Sequence, residues 1–129
     1  MTEPRPLILV VEDDDDIRTT VVDVFSFEGY RAIGASHGVE ALELLHAAEP
    51  KPALILLDLM MPLMNGVEFR EHQLADPALA HIPVVILSAD ANADARCAEL
   101  GAVGCLKKPM KLPALLETAQ RFAGGGQAS

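Results

Sequence analysis

The segment Leu7-Ile-Leu-Val-Val-Glu-Asp-Asp-Asp-Asp16 decides the fold. Its first five residues are apolar without a break. A strand with one face in water alternates polar and apolar positions, whereas a continuous run suits a strand covered on both faces. The pattern then changes period. From Asp14 to Glu28, the residues Ile17, Val21, Val24 and Phe25 recur at helical spacing, and Gly29 ends the run. A fully buried strand feeding an amphipathic helix through an acidic turn is the first half of a βαβ unit.

The same alternation continues outward. Tyr30 to Ala35 reads as a second strand, and Gly38 to Glu49 as a helix stopped by Pro50 and Pro52. Ala53 to Leu57 is a third strand, Val67 to Ala75 a helix, Ile82 to Leu87 a fourth strand and Ala91 to Leu100 a helix closed by Gly101. Ala102 to Leu106 is a short fifth strand. Leu112 to Phe122 is a last helix, with Pro113 in its first turn. Five strand–helix repeats predict an α/β fold, an open parallel sheet with helices on both faces. Residues 1–6 read as an N-terminal extension, 7–123 as one domain, and the Gly-rich 124–129 as a flexible tail.

Composition narrows the function. The chain of 129 residues is 50% hydrophobic, enough to bury a core in one domain without staples. No apolar run approaches 18 residues, which argues against a membrane span, and residues 1–6 lack the pattern of a secretory signal. Cys97 and Cys105 form no metal-like or disulfide pattern. A cytoplasmic protein is expected. The net charge of −9 (19 acidic against 10 basic residues) would repel phosphate backbones, so direct nucleic-acid binding is not expected.

In open parallel sheets, ligands bind at the carboxyl ends of the strands. Glu12 and Asp13 follow the first strand, Asp58 the third, Ser88 the fourth, and Lys107 and Lys108 the fifth. Singly, the ordinary explanations are a solvated strand terminus for Asp58, a helix cap for Ser88 and surface charge for the lysines; capping explains Asp14 to Asp16 and accounts less well for Glu12 and Asp13. Together they place acids, a hydroxyl and an amine on one sheet edge. Two carboxylates ~4 Å apart repel by roughly 4 kcal/mol at an effective dielectric of 20, so such a cluster holds protons or binds a cation. Oxygen ligands without His or Cys select Mg²⁺, with Mn²⁺ possible. A carboxylate can also serve as the nucleophile that forms an acyl phosphate.

Four pieces then fall in register: Ile8-Leu-Val-Val-Glu-Asp-Asp14, Leu56-Leu-Asp-Leu-Met-Met-Pro62 with Asn65-Gly66, Leu87-Ser-Ala89, and Lys107-Lys-Pro109. In them the chain resembles the receiver domain of two-component response regulators, over roughly residues 6 to 123. The resemblance implies a flavodoxin-like, doubly wound, five-stranded sheet of order 2-1-3-4-5 with five helices. It implies that Asp58 accepts the phosphoryl group and that Lys108 and Ser88 contact it. Mg²⁺ would be held by Asp13, Asp58 and the backbone carbonyl of Met60, with Glu12 acting through water. Pro109 would follow a cis peptide bond. The expected partners are a histidine kinase or histidine phosphotransfer protein, and a downstream protein or second copy on the face of the fourth helix, fifth strand and fifth helix.

Two positions depart from the family pattern. Cys105 stands where the family often has an aromatic switch residue, and Met110 stands where Phe is common. The expected function is a signalling switch rather than an enzyme, taken as stand-alone, with a receiver segment of a longer response regulator or hybrid kinase as the alternative. Two competing classes are a phosphorylation-independent pseudo-receiver and a Mg²⁺-dependent phosphatase. The phosphatase would resemble Asp-x-Asp after the first strand, whereas Asp58 lies on the third and is followed by Leu59-Met60.

Overall fold

The computed structural model describes residues 6–48, 51–59, 66–89, 93–108 and 110–123. Strand and helix alternate as β1 (Leu7–Val11), α1 (Asp15–Phe27), β2 (Arg31–Ala35), α2 (Gly38–Ala47), β3 (Leu54–Asp58), α3 (Gly66–Ala75), β4 (Val84–Ser88), α4 (Ala93–Leu100), β5 (Gly104–Lys107) and α5 (Leu112–Phe122). The strands form one parallel sheet of order β2-β1-β3-β4-β5. The expected architecture and strand order are therefore present.

Why the strands lack polar alternation is visible in the packing. Leu9, Val11, Ile55, Leu57, Val84 and Ile86 point into one core, shared with Ala41 and Leu45 of α2, Phe69 of α3 and Cys97 of α4. Their neighbours Ile8, Val10, Leu54, Leu56, Val85 and Leu87 point into the other, shared with Val21 and Phe25 of α1 and Leu115 and Ala119 of α5. Every residue of β1, β3 and β4 is buried. Phe25, fully buried, meets Tyr30 edge to face at 6.0 Å.

Helix ends explain the small shifts from the expected boundaries. Asp14 is the N-cap of α1 rather than its first residue, its Oδ1 accepting the Ile17 N–H at 3.0 Å. Gly29 adopts φ 99° after the helix, where a side chain would be strained. Ile82 is tied back by its N–H to the Leu79 carbonyl at 3.1 Å, so β4 begins at Val84. None of the helices among the described residues is long and apolar enough to cross a membrane.

A buried polar clasp joins α3 to the end of α4. Arg70 is only 8% exposed. Its Nε and Nη2 donate to the carbonyls of Leu100 (2.9 Å) and Gly101 (3.1 Å), and Nη1 donates to Gln73 Oε1 at 2.7 Å. Gln73 Nε2 in turn donates to the Leu79 and Ile82 carbonyls. The cation thus meets the carbonyls at a helix C-terminus, where the dipole favours it. Arg70→Met keeps much of the bulk but strands three acceptors, and is expected to cost about 3 kcal/mol in urea denaturation. A loss near zero would show that apolar packing alone holds α4 there.

Candidate functional site

Glu12 follows the last residue of β1 and is fully buried. Its N–H donates to the Ala35 carbonyl of β2 at 3.0 Å. Its Oε2 accepts the Asp14 N–H at 3.1 Å. Its Oε1 has no well-aligned hydrogen bond but lies 2.6 Å from Lys108 Nζ. The close approach of that full charge, whatever its angle, is the contact that counts. Asp13, next along, is exposed.

Asp58 is the final residue of β3, 3% exposed and opposite Leu87 in the ladder. Its Oδ2 lies 3.3 Å from Lys108 Nζ. Oxygens of Glu12, Asp13 and Asp58 come within 4.8 Å of one another. Ser88 ends β4 one residue beyond Leu87; it is 4% exposed, and its carbonyl accepts the Lys108 N–H at 3.0 Å. That bond fixes where Lys108 starts, just past β5. Of the two lysines, Lys107 faces solvent, and the Lys108 side chain, 19% exposed, turns to the acids.

The electrostatics follow from burial. Burial raises the Glu12 pKa to about 7; the Lys108 contact and the Asp14 N–H oppose the rise, while the Asp58 charge adds to it. Burial also works against the charge on Lys108, but Glu12 and Asp58 outweigh it and hold its pKa above the ordinary lysine value. The Glu12 shift is set first by burial, and the Lys108 shift by the two acids that share its charge. A partly orphaned carboxylate beside two others suits a hard divalent cation, since the donor set is all oxygen.

A pH dependence follows for the metal-free protein. Glu12 titrates higher folded than unfolded, so its contribution is full below about pH 4.5 and lost as pH rises through about 7. Between pH 5 and 8, unfolding free energy in EDTA is expected to fall by on the order of 2 kcal/mol. Glu12→Gln should flatten that slope. An unchanged slope in the variant would assign it to other groups.

Some sequence expectations lie outside the described residues: the Met60 carbonyl and the peptide bond before Pro109. Cys105 pairs with Ile86 in the ladder and is half-buried, packing against the core beneath α2, α3 and α4. Two contacts near the site go beyond the motifs read from the sequence. Arg18 Nη1 donates to the Glu12 carbonyl at 2.9 Å, and its Nη2 contacts the Asp15 carboxylate. Their nearest hint was an arginine one turn into an acid-rich helix start.

A parallel sheet of this order, carrying two buried acids, an exposed acid, a hydroxyl and a lysine at its carboxyl edge, defines a class of α/β domains built to handle charge at one edge. The model for the response regulator receiver domain matches residues 8–120. The chain belongs to that family. It is 32% identical over 119 residues to the polar-differentiation response regulator DivK of Brucella anthropi, covering 91% of this chain and 95% of DivK. Among solved structures, it resembles chemotaxis protein CheY4 of Vibrio cholerae, with 29% identity, 92% and 98% coverage and a TM-score of 0.83. A response regulator receiver protein from Pseudomonas putida matches similarly, with 29% identity, 93% and 99% coverage and a TM-score of 0.83.

Proposed function

We propose that this receiver domain takes a phosphoryl group onto Asp58 from a phosphohistidine donor, in a Mg²⁺-dependent reaction, and thereby switches its protein contacts. The observation that carries the reading is the buried Asp58 carboxylate with Lys108 Nζ at 3.3 Å and oxygens of Glu12 and Asp13 within 4.8 Å.

The placement of Glu12, Asp13, Asp58, Ser88 and Lys108 at one sheet edge supports a role for each of the five. An Asp58 oxygen attacks phosphorus, the P–N bond to imidazole breaks, and its electron pair stays on the ring nitrogen. Asp13 and Asp58 would hold Mg²⁺ directly, with the Met60 carbonyl as a further ligand and Glu12 acting through water. Bound there, Mg²⁺ (or Mn²⁺) would shield the approach of two anions and neutralise charge on the phosphoryl oxygens. Lys108 meets one phosphoryl oxygen as a point charge, and the Ser88 hydroxyl donates to another. Water later attacks phosphorus, the bond from phosphorus to the Asp58 oxygen breaks, and inorganic phosphate leaves as the Asp58 carboxylate is regenerated. The catalysis acts on the domain itself, so the protein is a switch rather than an enzyme turning over a substrate.

The donor is a histidine kinase or a histidine phosphotransfer protein. Contacts of Ser88 and Lys108 with the phosphoryl group bias two arrangements of the loop after β4, α4 and β5. The face of α4, β5 and α5 then meets a downstream protein or a second copy. With Cys105 in place of a large ring, either the output face switches differently or Ser88 and its following loop carry the change. With acetyl phosphate and Mg²⁺, intact-mass spectrometry should show one added phosphoryl group, lost in EDTA. No gain, or a gain indifferent to EDTA, would overturn the reading.

A further inference from the structure

We propose that Arg18 is a positioning residue for the acidic pair: its stem crosses Gly34, and its guanidinium fixes the peptide between Glu12 and Asp13 and so aims Asp13 toward Asp58. The inference rests on the Mg²⁺-binding reading above and adds a residue and a glycine to it.

The geometry has three parts. First, the Glu12 backbone is held on both sides. Its N–H donates to the Ala35 carbonyl at 3.0 Å, and its carbonyl accepts from Arg18 Nη1 at 2.9 Å. Of these two anchors, Arg18 is the one supplied by a side chain. Second, Asp13 is exposed, and among the described residues no side-chain hydrogen bond holds its carboxylate. Its direction therefore follows the rotation of the peptide that Arg18 grips. Third, the arginine needs a path. Gly34 pairs with Val10 beside the end of β1, and a Cβ there would lie 2.9 Å from both Cγ and Cδ of Arg18. Those atoms belong to the stem of the side chain, which a β-carbon would push off its course. Asp15, 82% exposed at its side chain, steadies the far side of the guanidinium.

Charge alone makes the opposite prediction, which gives the test its force. A cation beside a cluster of acids weakens divalent-metal binding by repulsion. If Arg18 acted only as a charge, removing it would tighten Mg²⁺ binding. A positioning role predicts that removing it loosens binding, as loss of an orienting partner of a metal ligand does.

The experiment is Mg²⁺ titration by isothermal calorimetry at fixed ionic strength on the full chain. Folding of each variant is followed by thermal melts in EDTA. Arg18→Met is expected to lower Mg²⁺ affinity about tenfold. Arg18→Lys, which keeps the charge and one reaching donor, should recover part of the loss. Gly34→Ala keeps the arginine but displaces its stem, and should weaken binding in the same direction. The Gly34 variant keeps the inference open to refutation should Arg18→Met fold poorly. Unchanged or tighter Mg²⁺ binding in Arg18→Met, or in Gly34→Ala, would overturn it. No Mg²⁺ binding by the unaltered chain would overturn the metal-site reading itself, a separate and distinguishable failure.

Discussion

Lys108→Ala is expected to cost the metal-free protein about 3–5 kcal/mol, because it leaves two buried carboxylates without their cation. Glu12 and Asp58 side chains are 1% and 4% exposed, and Lys108 Nζ lies 2.6 Å from one and 3.3 Å from the other. The loss should grow with pH. Burial already raises the Glu12 pKa to about 7, so below that pH a proton can replace the missing ammonium, and above it nothing does. Millimolar Mg²⁺ should restore part of the stability, since it binds the folded site and not the unfolded chain. Urea denaturation at pH 6 and pH 8, in EDTA and in Mg²⁺, checks all three statements. A small, pH-independent loss that Mg²⁺ does not repair would mean the lysine is a surface charge.

The second large effect concerns Gly66, at the start of α3. Helix propensity alone favours Gly66→Ala by about 1 kcal/mol. The packing says otherwise. A Cβ at this position would lie 2.7 Å from Leu59 Cδ2, 2.8 Å from Leu59 Cα and 3.0 Å from the Asp58 carbonyl oxygen. Two of those three atoms are backbone and cannot swing aside. Something must shift, and the nearest thing to shift is the strand end that carries Asp58. Gly66→Ala should therefore destabilise the fold by about 1–3 kcal/mol and slow phosphoryl acceptance together. Gly104 is the control. A Cβ there meets Val85 Cγ2 at 3.6 Å and Phe122 Cε2 at 3.8 Å, ordinary contacts, so Gly104→Ala should be neutral or mildly stabilising. Equal outcomes at the two glycines would contradict the account of Gly66.

What was legible in the sequence follows from what is local. The runs Leu7–Val11, Leu54–Leu57 and Val84–Leu87 announce themselves because burial on both faces forbids polar residues. Once the alternation of elements is known, topology brings Glu12, Asp58, Ser88 and Lys108 to one edge without any knowledge of side-chain contacts. The choice of Lys108 over Lys107 rested on resemblance; in the fold, Lys107 faces out and Lys108 turns in.

The rest depends on contacts that sequence separation hides. Arg70 and Gln73 look like the polar face of an ordinary helix, yet both are buried, and Arg70 reaches carbonyls 30 and 31 residues away. Asn65-Gly66 reads as a turn, whereas the close approach to Leu59 is what forbids a side chain. Gly34 has no mark at all; it is the path of Arg18 that requires it. In each case the residue type satisfies a partner on another element, and local periodicity carries no trace of that partner.

The central claim is that Asp58 accepts the phosphoryl group, and its most direct test is chemical mapping of the acyl phosphate. The protein is treated with acetyl phosphate and Mg²⁺, reduced with borohydride, which converts an aspartyl phosphate to the corresponding alcohol, and mapped by peptide mass spectrometry. The account predicts the reduced side chain at Asp58 alone, present with Mg²⁺ and absent in EDTA. Reduction at Asp13, or at no carboxylate, would contradict it.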